Sequence, residues 1–188
     1  MVLLPLLFLS AFLSFVPFSV ALSSSVYRCI EWKEAMRIAL VFALFQAGMI
    51  AIGWFIGFGI KGLLYSMTVP VAVLIVFFIG FRMFMDSWRL GRENRTMAVE
   101  SNRILFGFAF VISINTSLLG MGLGMLYKDI LYLVAFLFAM TFIMTILGIQ
   151  AGKRAMMNLG KTAEMIGGVG LAVISLIILL QYLKILVI

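Results

Sequence analysis

The sequence predicts an all-α membrane protein whose six transmembrane helices form two inverted three-helix repeats. Three observations lead there. Of 188 residues, 65% are hydrophobic, the mean hydropathy is +1.24, and only 14 basic and 7 acidic side chains are present, which is too apolar for a water-soluble domain of this size. The apolar residues fall into six stretches, near 3–26, 37–60, 66–88, 104–126, 130–152 and 163–187, each close to the roughly 20 residues that a helix needs to cross the hydrocarbon core. Finally, Gly53 with Gly57 and Gly148 with Gly152 form two pairs 95 residues apart (148 minus 53, 152 minus 57), as an internal duplication would leave them.

The first stretch carries Ser14, Pro17 and Ser19. Ser19 and Ala21 resemble the small residues before a signal cleavage site, but no positive charge precedes the apolar run, so it reads as a retained span. Pro17 frees a backbone carbonyl in mid-membrane. The first connection holds Arg28, Lys33 and Arg37, the third Arg89, Arg92, Arg95 and Arg103, and the fifth Lys153, Arg154 and Lys161; the second and fourth hold only Lys61 and Lys128. By the positive-inside rule the odd connections are cytoplasmic and both termini face outward. That asymmetry accounts for the net charge of +7 without nucleic acid as a partner. Residues 1–88 then form a first repeat, 89–103 a basic cytoplasmic connection and 104–188 a second repeat. An odd number of spans per repeat inverts the second against the first, so the second and fifth spans correspond.

Small residues four apart let helix backbones approach closely in lipid. Gly120 with Gly124 makes a third such pair, on the fourth span, so Gly53, Gly57, Gly120, Gly124, Gly148 and Gly152 are the expected helix-packing positions. Polar groups at membrane depth are costly and therefore candidates for function. Arg82 and Asp86, spaced i and i+4 on the third span, share one helix face and are expected to pair as a gating or orienting couple. The fourth span carries Ser113, Asn115, Thr116 and Ser117 before a Gly120, Gly122, Gly124 run. Its hydroxyls, amide and glycines predict local unwinding that would expose backbone carbonyls to a substrate. Gln46 and Thr141 on the second and fifth spans are again 95 apart, with Thr145 and Gln150 further along. The expected substrate-facing set is Asn115, Ser113, Gln46, Thr116 and Thr141. Cys29 is the only cysteine and histidine is absent, which excludes intrachain disulfides and zinc sites of the usual His/Cys type. Methionines four apart, Met121 with Met125 and Met140 with Met144, are better read as packing than as a soft-metal site.

With these residues in place, the chain resembles the MntP family of manganese efflux pumps, within the wider LysE-like group of exporters. The similarity runs over nearly the whole chain. It is carried by Glu34-Ala-Met-Arg37, Gly53-Trp54, Gly80-Phe-Arg82-Met83 with Asp86, Ser113 through Gly122, Leu147-Gly148 with Gly152, and Gly160-Lys-Thr-Ala163-Glu164 with Gly167-Gly168. The resemblance implies six spans in two inverted halves and export of Mn²⁺ from the cytoplasm. It also implies an aspartate in the first and fourth spans and a glutamate in the second; the corresponding positions here hold Val16, Asn115 and Gln46. Mn²⁺ prefers carboxylate, carbonyl and water oxygens, so the departure bears directly on the cargo.

The expected function is a multi-pass cell-membrane secondary transporter working by alternating access, exporting manganese or another divalent cation, with no resident cofactor and with Mn²⁺ as a transported ion. Two alternatives stand beside it: a carrier of a neutral or anionic solute on the same scaffold, and a transport-silent membrane component serving assembly. An enzyme is excluded by the lack of a nucleophile with a base at useful spacing and of paired carboxylates. Expected partners are the lipid bilayer and a small solute or ion, and a homo-oligomer is left open.

Overall fold

The computed structural model describes residues 3–27, 30–62, 68–89, 102–126, 130–153 and 159–186, and every regular element among them is helical. In chain order they are α1 (Leu3–Leu13), α2 (Phe15–Tyr27), α3 (Trp32–Ile60), α4 (Thr68–Arg89), α5 (Asn102–Leu126), α6 (Leu131–Lys153) and α7 (Leu159–Leu186). A chain this apolar has no other choice in lipid, where each backbone N–H and C=O must be satisfied within its own segment. Phe8–Ser25, Trp32–Ile60, Arg103–Leu126 and Leu131–Lys153 are long and apolar enough to cross a membrane, and Val69–Met85 and Met165–Ile177 add two shorter apolar stretches.

The first stretch is not one continuous helix. It breaks at Ser14, between α1 and α2, three residues before Pro17. Pro17 has no N–H to offer the Leu13 carbonyl, and its ring crowds that turn. The Ser14 N–H is shared between the Ser10 and Ala11 carbonyls, both at 3.1 Å, and the helix resumes with Phe18 N–H donating to the Ser14 carbonyl at 3.2 Å. The unwinding expected in the fourth span does not occur there: α5 runs unbroken from Asn102 to Leu126. Its glycines serve close packing, and a break occurs where proline removes a donor.

The bundle is apolar outside and partly polar inside. Phe55, Leu74, Phe77, Phe81, Phe110, Val111, Leu131 and Leu180 are exposed, while Ser10, Ser14, Ser19, Gln46, Ser113, Thr116, Thr141, Thr145 and Ser175 are buried. This inverts the soluble-protein pattern and suits a solvent of hydrocarbon tails. The principal helix contacts are α3 with α5 and α6, α4 with α5 and α7, and α1 and α2 with α6 and α7.

The tightest contacts are made by glycines. A Cβ on Gly53 would strike the Ser117 carbonyl, one on Gly57 the Met121 carbonyl, one on Gly120 the Ile50 carbonyl and one on Gly124 the Trp54 carbonyl. Helices α3 and α5 therefore touch backbone to backbone. Helix α6 meets α2 in the same way, since a Cβ on Gly148 would lie 2.6 Å from the Phe18 carbonyl and one on Gly152 would strike the Leu22 carbonyl and Ser25. Gly80 and Gly168 face each other across α4 and α7, a Cβ on either falling 2.8 Å from the other's carbonyl oxygen.

Lys33 and Arg37 near the start of α3, Arg103 at the start of α5 and Lys153 at the end of α6 define a basic end. An apolar cluster fills this end with Val20, Ile38, Phe42, Leu105 and Ile149, and the Phe45 and Phe106 rings lie 5.9 Å apart beside it. A second cluster, with Leu9, Leu13, Val16, Ile50, Leu119, Leu123, Leu133 and Leu137, fills much of the opposite half and extends along α4 and α7 through Ile79, Met83 and Leu171.

Candidate functional site: a polar belt at mid-helix

Between the two apolar clusters the polar side chains form a belt. Gln46 stands fourteen residues from either end of α3. Ser113 lies eleven and thirteen residues from the ends of α5, and Thr141 ten and twelve from those of α6. Ser14 lies eleven residues from the start of α1 and thirteen from the end of α2. At about 1.5 Å of rise per residue, Gln46 is ~21 Å from both helix ends. Four rods thus bring their most polar residues to one depth.

The belt is organised as two interhelical pairs. The Thr116 hydroxyl on α5 donates to Gln46 Oε1 on α3 at 2.7 Å, with both residues about 1% exposed. On the other side, the Ser14 and Thr141 hydroxyls are 3.2 Å apart, and Ser14 Oγ also donates to the Ser10 carbonyl at 2.7 Å. Thr145 Oγ1 returns to the Thr141 carbonyl at 2.7 Å, one turn back on its own helix, a common resting place for a buried hydroxyl in a helix. Such bonds cost little to keep and much to lose in hydrocarbon, where an unmatched polar atom has no water to turn to.

Two belt atoms have no such partner. Ser113 Oγ and Asn115 Oδ1, both buried, make no hydrogen bond within the protein. Ser113 is one turn before Thr116, whereas Asn115 immediately precedes it and so points from a different side of α5. Among the expected substrate-facing residues, then, Gln46 and Thr116 meet each other, Thr141 meets Ser14, and Ser113 and Asn115 remain open. Ser14, in the first span, is the Thr141 partner. Val16 lies with Leu13 and Leu119 in the apolar cluster next to the belt.

Arg82 is exposed on α4, and the side chain of its expected partner Asp86 lies outside the described residues, as does Cys29. Gln150 is exposed near the basic end of α6. No three of His, Cys, Asp and Glu come together among the described residues. Two apolar grooves, of about 370 and 450 Å³, run along α4 and α7, lined by Gly80, Phe81, Gly168 and Val173 in one and Pro70, Leu74 and Ser175 in the other, with Phe77 and Leu176 shared. They open where lipid would lie and stand apart from the belt.

Long apolar helices, an apolar exterior and polar groups buried at mid-depth define a multi-pass membrane protein of the transporter kind. The profile described as "Mntp: Putative manganese efflux pump" matches residues 29–179, and the chain belongs to that family. A relative from Rippkaea orientalis named "Putative manganese efflux pump MntP" is 31% identical over 175 residues, covering 93% of this chain and 94% of its own. Namesakes from Photorhabdus laumondii, 30% identical over 82% of this chain and 81% of theirs, and from Clostridium botulinum, 27% identical over 98% and 97%, are similar along the same length. No solved structure matches.

Proposed function

We propose that this chain is a small secondary efflux transporter in which two inverted three-helix halves alternate access to the mid-membrane belt. The observation that carries the reading is the placement of the glycine contacts. Gly53, Gly57, Gly120 and Gly124 close α3 on α5 in the half away from the basic end, while Gly148 and Gly152 close α6 on α2 at the basic end. The 95-residue shift that turns Gly53 and Gly57 into Gly148 and Gly152 also turns Gln46 into Thr141. Each half therefore supplies one matching glycine pair and one belt group, and the two seams, each joining a helix of one half to a helix of the other, lie at opposite faces. An inverted repeat generates that relation, and a central site sealed alternately from either face follows from it.

The helix partners support the same reading. Exchanging the first three rods for the last three turns the α3 with α5 contact into α6 with α1 and α2, turns α4 with α5 into α7 with α1 and α2, and leaves α3 with α6 and α4 with α7 unchanged. With the basic end cytoplasmic by the positive-inside rule, the α2–α6 seam is the inner one and the α3–α5 seam the outer. Arg82 and Asp86, at the inner end of α4, are suited to orienting that helix at the cytoplasmic surface.

The relatives' names make manganese or another divalent cation the first cargo to consider for this route. A second reading is favoured by one specific observation: the belt contains hydroxyls and amides and no carboxylate. Paired spin labels test the alternating motion itself. Labels at Arg37 and Arg103 report the inner ends of α3 and α5, and labels at Gly59 and Leu126 their outer ends; the two distances should change in opposite senses between states. Distances that stay single-valued, or that open together, would contradict the proposal.

A further inference from the structure

We infer that the belt accepts an uncharged, hydrogen-bonding solute and does not accept a bare divalent cation. This rests on the belt being the transport site and specifies what that site can hold. No Asp, Glu, Lys or Arg precedes Arg28; none lies between Arg37 and Lys61, between Arg103 and Lys128, or between Asp129 and Lys153. The four rods that form the belt are thus free of charge throughout their middle. Gln46 is nine residues from Arg37 and Ser113 ten from Arg103, or about 13 and 15 Å along the helix. Both of these nearest charges on those helices are positive. On α4, which also packs against α5, the ionisable residues are Arg82, Asp86 and Arg89, all toward the basic end, and Arg82 is exposed.

A divalent cation moved into that environment gives up its water and gains no opposite charge, and desolvation then opposes binding steeply. An anion fares no better, because the belt offers it no cation either. A neutral solute loses only hydrogen bonds, which the belt can return. The Ser113 hydroxyl gives and accepts, and Asn115 Oδ1 accepts; these are the two belt atoms that the protein leaves without a partner. The other groups are engaged, Gln46 with Thr116 and Ser14 with Thr141. A cargo with its own N–H or O–H groups matches what remains open.

Titrating purified full-length protein with Mn²⁺, followed by loss of the free-ion electron paramagnetic resonance signal, tests this. Wild type should bind no stoichiometric Mn²⁺. Asn115→Asp replaces the open amide with a carboxylate of the same shape and should bind one Mn²⁺ per chain, at least about tenfold tighter than wild type. Gln46→Glu added to it should tighten binding further. One Mn²⁺ bound per wild-type chain, weakened by Ser113→Ala, would overturn the inference. So would an Asn115→Asp protein that melts like wild type and gains no Mn²⁺ affinity, since the belt would then not govern what binds. Either result leaves the alternating motion intact, because the spin-label distances report it without any cargo. In the Cys29→Ser background, a cysteine at position 113 should react with neutral N-ethylmaleimide roughly tenfold faster than with a cationic methanethiosulfonate, each rate relative to free cysteine. Equal relative rates would contradict an uncharged site.

Discussion

A hydroxyl that donates to an amide oxygen in the middle of a membrane is fixed by the lack of alternatives. Thr116 and Gln46 form such a bond, and Ser14 and Thr141 a longer one on the opposite side of the belt. Interhelical bonds of this kind contribute on average about 0.6 kcal/mol and at most ~1.7. Thr116→Val should therefore lower unfolding free energy in mixed micelles by about 1 kcal/mol, and a double-mutant cycle with Gln46→Leu should return coupling of similar size. Zero coupling would mean that the contact is incidental. These residues were legible in the sequence as polar side chains in apolar runs. Which partner each would choose was not legible, because helix rotation and the α3–α5 spacing decide it. Asn115 shows the same limit: its type marked it as a candidate, but only packing reveals that Oδ1 stays open while its neighbour Thr116 is engaged.

At the scale of the helix, the glycines divide into two kinds that the sequence does not distinguish. Gly53, Gly57, Gly120 and Gly124 abut a facing backbone, whereas a Cβ at Gly48, Gly59 or Gly107 would have nothing within 4 Å. Gly53→Leu should cost about 1–3 kcal/mol through overpacking. Gly48→Ala should be neutral or stabilising by up to about 1 kcal/mol, because alanine is the better helix former and nothing opposes it. Thermal or denaturant unfolding of the two variants separates them, and equal effects would refute the seam. Pro17 gave away the break in the first rod through its missing donor. The glycine-rich fourth rod stays helical because its partner α3 accepts the bare backbone surface, a fact of tertiary packing. Pro17→Ala restores a donor to the Leu13 carbonyl. It should leave the protein folded and slow the change of access at the belt, measured as slower thiol modification from one face; an unchanged rate would assign Pro17 a packing role only.

For the whole molecule, the class could be read from the sequence because hydropathy reports directly on lipid, and the family because its motifs keep their order along the chain. The relation between the seams needed three dimensions. One seam lies toward each end of the bundle, with the uncharged belt between them; under the proposed mechanism neither end is built for permanent closure. Alternating access requires that the belt be reached from both sides. In a Cys29→Ser background carrying Ser113→Cys, a membrane-impermeant thiol reagent is applied to right-side-out and to inverted vesicles. Modification from both faces, slowed on one face when the opposite seam is held open by Gly57→Leu or Gly152→Leu, is the predicted result. Modification from one face only, or from neither, in protein that remains folded would contradict alternating access at the belt.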